Sequence, residues 1–122
     1  MTFSFVASLT ALAGFILGVG WVFAGSRLFQ RWGVEAHQDG ILVGRRIGVV
    51  YLTIALMMIL VKDAQPSELR EAISLAMALG MVGLAVMGLY EFKRRAVNAS
   101  MLVSVGLEIF LAVGFSWTFI AP

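Results

Sequence analysis

The chain has 122 residues, of which 61% are hydrophobic and 13% charged, and its formal net charge is +2. Soluble domains carry about 25% charged residues, and a chain this short cannot hide so much apolar surface on its own, so a soluble globular domain is excluded. The small, scattered charge gives no nucleic-acid footprint. With no cysteine and one histidine, His37, there is no disulfide, no thiolate chemistry and no Cys- or multi-His metal site, and no cofactor motif.

Four apolar blocks fill nearly all the length, at residues 3–29, 41–61, 72–90 and 99–121. A helix rises about 1.5 Å per residue, so about 20 apolar residues cross the bilayer core. The runs are continuous rather than alternating, which fits helices and not barrel strands. The expected fold is all-α: one membrane domain over residues 1–122, a transmembrane four-helix up-down bundle. Short connections predict that consecutive helices are antiparallel neighbours. The first block has no basic residue before Arg27 and is too long for a signal-peptide core, so it reads as a retained span.

In chain order, the first span carries Gly14 and Gly18 at the GxxxG spacing, and Gly33 stands where a helix-ending glycine is expected. His37 lies in a polar stretch and reads as solvated. Asp39 is a candidate N-cap for the second span, which holds Gly44 and Gly48 and, just inside it, Arg45 and Arg46. In the next connection Ser67 can cap the third span, with Glu68 and Glu71 in its first turn. That span carries Ala72, Ala76 and Gly80 four apart, then Gly83 and Gly88, and it ends at Lys93, Arg94 and Arg95. Asn98 is the candidate cap of the fourth span, which holds Gly106, Glu108 and Gly114. The small residues, Gly14, Gly18, Gly44, Gly48, Ala76 and Gly80 above all, mark seams where helices pack closely. Those seams serve either the bundle itself or a homodimer through the first helix.

Basic residues are biased. Arg27, Arg31, Arg45, Arg46, Lys93, Arg94 and Arg95 cluster at the first and third connections, whereas the second has Lys62 and Arg70 offset by acids. The positive-inside rule places both termini outside and the basic connections in the cytoplasm. Arg27, Arg31, Lys93, Arg94 and Arg95 form a collar able to meet anionic lipid headgroups, besides setting the topology.

Glu108 is the one acid deep in a span, ten positions past Asn98 and about 15 Å along the helix. It must take a proton or find a cation. Arg45 and Arg46 are the expected partners, one turning inward toward Glu108, or nearer the surface toward Glu91. Sliding the first half by 63 positions places Gly20, Gly25, Phe29, Arg31 and Val34 on Gly83, Gly88, Phe92, Arg94 and Val97, and Arg45 on Glu108, which suggests a two-helix repeat or merely shared membrane composition.

The length, the four spans, the GRR entry to the second span and the run GLYEFKRRAVNASMLVSVGLEIFLAVG together resemble small bacterial proteins of the broad DoxX-like group. That resemblance implies a four-helix protein of the bacterial inner membrane and no defined activity. Small multidrug exporters, by contrast, carry a glutamate in the first helix, where this chain has none. No nucleophile–base pair, metal cluster or phosphate loop points to an enzyme. Two functions are left: a scaffold or accessory subunit docking other membrane subunits through its small-residue seams, and a small, dimeric transporter or channel working through Glu108.

Overall fold

The first apolar block does not run straight through. In the computed structural model, which describes residues 1–121, α1 (Phe3–Phe23) stops at Ala24 and a short helix, α2 (Gly25–Arg31), turns back against it. Leu28 of α2 covers Gly20, and the Phe29 ring lies 5.2 Å from Trp21 and also against Gly40. Burial of these two side chains on a glycine-smoothed surface bends the chain. The expected span of 3–29 is therefore a span of 21 residues followed by an amphipathic turn of helix.

The other spans are α3 (Gln38–Val61), α4 (Glu68–Lys93) and α5 (Met101–Ile120). With α1, these four helices are long and apolar enough to cross a membrane. The chain is an all-helical, multi-pass membrane protein. Ser67 caps α4 as its position suggests, its Oγ accepting from the Arg70 N–H at 3.2 Å. Asp39 and Asn98 are not the caps. Asp39 sits in the first turn of α3, after His37, and Asn98 accepts from the Ser100 N–H at 3.0 Å, just ahead of α5.

Two helix ends are built alike. Gly33 follows α2 with φ +73°, its N–H bonded to Gln30 O at 3.0 Å while Val34 N–H reaches Phe29 O at 2.9 Å. This pair of bonds closes a helix through a left-handed residue. At the end of α4 Arg95 takes that place with φ +62°, with Arg95 N–H on Phe92 O and Ala96 N–H on Glu91 O, both at 3.0 Å. The two ends lie 62 residues apart, one position off the 63-residue offset, so that alignment does not bring them into register.

The helices pair as two hairpins, α1 with α3 and α4 with α5, joined mainly by α1 against α5. α3 and α4 share a short loop yet make almost no contact along their lengths. The expectation that every consecutive pair packs together fails at this one place, because the glycine seams commit each helix to its hairpin partner. Where the hairpins meet, near the end bearing both termini, Phe3, Val6, Ala7 and Ala11 of α1 pack with Met58, Ala78, Leu111 and Phe115. Arg70 lies over the Phe3 ring at 4.6 Å and donates from Nη1 to Ala64 O at 3.0 Å, and Ser74 and Thr118 approach to 3.3 Å. At the basic end a backbone bond of 2.8 Å, Asn98 N–H to Trp32 O, ties the first connection to the third.

Candidate functional site

The interior between the hairpins holds an arrangement that simple packing does not explain. On α5, Val105 lies against Gly88 of α4, whereas Leu111 and Phe115 fill the common core. Glu108 is three residues from both Val105 and Leu111, so it projects between the two contact lines, on the inner side of α5. It is half-buried, and its Oε2 is cut off from solvent with no hydrogen-bond partner. On α3, Tyr51 follows Gly48 by three residues, on the same side of the helix, and is half-buried.

Neither arginine completes this site. Gly44 takes the inward position on α3, where a Cβ would stand 2.6 Å from Trp21 Cε3. Successive helical residues turn by about 100°, which carries Arg45 and Arg46 away from the interior, and both are exposed. Among the described residues the ion pairs are Glu35–His37 at 3.8 Å, Asp63–Lys62 at 2.9 Å and Glu91–Arg94 at 3.6 Å. Glu91 thus pairs within its own helix end, and the expected Arg45 or Arg46 partnership with Glu108 does not form. The packing of Gly44 on Trp21 fixes the rotation of α3 and decides the matter.

The seam residues divide sharply. Gly14 and Gly18 face Gly48, Tyr51, Leu52 and Ala55 of α3, so the GxxxG face of α1 is consumed inside the chain and is not open to a second copy. Ala76 and Gly80 are exposed on α4, and a side chain at Gly80 or Gly83 would meet nothing within 4 Å. In the basic collar Arg27, Arg31, Lys93 and Arg95 are exposed, and Arg94 stacks 5.4 Å from Tyr90 while holding Glu91.

Two participants escape a reading of the sequence alone. Tyr51 reads there as a local hydroxyl, although its spacing from Gly48 puts it on the buried stripe. Arg70 reads as a loop charge balanced by acids, whereas it is folded onto Phe3 with its Nε buried and unpartnered. No protein-family model, curated protein or solved structure matches the chain.

Proposed function

We propose that this is a small transporter or channel of the bacterial inner membrane in which Glu108 carries a proton through the bilayer interior. The observation behind this reading is the carboxylate oxygen held inside a span with no donor and no cation beside it. Placing an ionised group at the centre of a span costs about 2.5–3.5 kcal/mol on insertion scales, and an unpaired acid at such depth marks a pathway more than a strut. Glu108 and Tyr51 offer too few oxygens for a hard metal cation, which takes about six or more. A proton needs one carboxylate. The surrounding frame suits the role, since two tight hairpins joined along α1 and α5 can rock against each other as units.

The test uses purified protein in liposomes loaded with a pH-sensitive dye and given an imposed pH gradient. The wild type is expected to collapse the gradient faster than empty vesicles, and Glu108→Gln to fall to the empty-vesicle rate while keeping its helix content. Equal rates for wild type and Glu108→Gln would reject the reading.

A second reading is favoured by a separate observation. The outward face of α4, Ala72, Ala76, Gly80 and Gly83, is smooth and uncovered, which suits an accessory subunit docking another membrane helix. Because the chain has no cysteine, Gly80→Cys gives a clean probe. Oxidative cross-linking of that variant to itself would indicate a homodimer, and cross-linking to a larger native subunit would indicate an accessory role.

A further inference from the structure

Each hairpin carries an apolar groove along one flank. The α1–α3 groove is lined by Ala11, Leu12, Phe15, Leu52, Leu56 and Ile59. The α4–α5 groove is lined by Val82, Val86, Leu89, Ile109, Val113 and Trp117, among others. Helical register extends both toward the basic end. Arg45, Leu52, Leu56 and Ile59 are separated by seven, four and three residues and share one face of α3. Val82, Val86, Leu89 and Lys93 are separated by four, three and four and share one face of α4. The helical face of each groove therefore continues to an exposed cation, Arg45 on α3 and Lys93 on α4. Neither Arg45 nor Lys93 has a carboxylate within 4 Å among the described residues. No acid occurs in α1, or in α3 beyond Asp39, and the acids nearest the second groove, Glu91 and Glu108, lie on other faces of their helices.

We propose that the two grooves are binding sites for anionic phospholipid, an acyl chain lying along each groove and the headgroup phosphate held by Arg45 or Lys93. The charge selects the occupant. A second protein copy would bring a hydrophobic helix, which gains nothing from a cation at the groove mouth, and a zwitterionic lipid would gain little. Arg45 sits about 10 Å from Leu52 along α3, inside the apolar stretch, where its long side chain rises toward the headgroups. Lys93, about 6 Å beyond Leu89, ends α4 at the basic end of the other hairpin. The site is independent of Glu108, which faces the interior between the hairpins.

The experiment places the purified full chain in nanodiscs of equimolar phosphatidylglycerol and phosphatidylcholine with matched acyl chains. Lipids retained after gentle release are counted by native mass spectrometry. A basic residue near the surface favours an anionic lipid by about fivefold, so phosphatidylglycerol is expected to be retained over phosphatidylcholine by about that factor at each site. Arg45→Gln and Lys93→Gln are each expected to remove one retained phosphatidylglycerol, and the double variant to bring the two lipids to parity. Arg45→Lys should keep the preference. Leu56→Trp, which fills the first groove without touching charge, should lower retention there. Arg46→Gln, one residue off the groove line, should change nothing. Equal retention of both lipids by the wild type would overturn the proposal. So would an Arg46→Gln loss as large as that of Arg45→Gln, or protein dimers in place of lipid that disappear with Leu56→Trp.

Discussion

The two hairpins use the same small residue in opposite ways. In α1–α3 the glycines interlock backbone to backbone: a Cβ on Gly48 would stand 2.8 Å from the Gly18 carbonyl oxygen, and one on Gly18 2.9 Å from that of Gly48. In α4–α5 a Cβ on Gly88 would stand 2.7 Å from Val105 Cγ2, whereas Gly80, Gly83 and Gly106 face open space. In lipid, where apolar side chains gain nothing by leaving the tails, close backbone approach is what joins helices. The first hairpin is thus closed backbone to backbone along its seam. The second has a face to spare, and its α5 carries the unpartnered Glu108.

Gly48→Leu should be the most damaging substitution. The obstacle is backbone, which cannot step aside, so a loss of about 3 kcal/mol is expected, at the upper end of overpacking costs, read from denaturant unfolding in detergent micelles. Gly88→Leu meets a side chain that can shift, and about 1–2 kcal/mol is expected in the same assay. At the helix ends the contrast is conformational. Gly33→Ala forces a Cβ into φ +73°, 3.1 Å from Asn98 Nδ2, and should cost about 1–2 kcal/mol. Arg95→Gly relieves the matching strain at φ +62° and should raise stability by up to about 1 kcal/mol. Smallest of all, Gly80→Leu should leave the isolated chain within about 0.5 kcal/mol of wild type. A Gly80→Leu variant as damaged as Gly48→Leu would erase the distinction between the hairpins.

Much of this frame can be read from the sequence, for physical reasons that also explain where reading stops. The four spans are legible because a bilayer demands unbroken apolar length. Ser67 is legible as a cap and Gly33 as a helix end because both depend on chain neighbours alone. The break at Ala24 is not, since Gly25, Ser26 and Arg27 fit the end of a span as well as a bend, and the bend comes from Leu28 and Phe29 settling on Gly20, Trp21 and Gly40. Small residues announce a seam without naming its partner, so Gly18 and Gly80 look equivalent until the packing separates them. Glu108 stands out as the lone deep acid, yet its surroundings depend on the rotation of α3, which Gly44 fixes by meeting Trp21. One residue of helical phase turned the expected ion-pair partners outward and brought Tyr51 inward instead.

Carrying a proton through the bilayer interior requires a Glu108 carboxyl group without a cation and able to exchange its proton. Infrared difference spectroscopy of the protein in lipid, comparing acidic with alkaline buffer, addresses this directly. The expected result is a carboxylic-acid carbonyl band that appears on acidification in the wild type, is absent from Glu108→Gln and is untouched by Arg45→Gln or Arg46→Gln. A band that Glu108→Gln leaves in place, or one that shifts when either arginine is removed, would contradict it, because Glu108 would then be inert or tied into an ion pair.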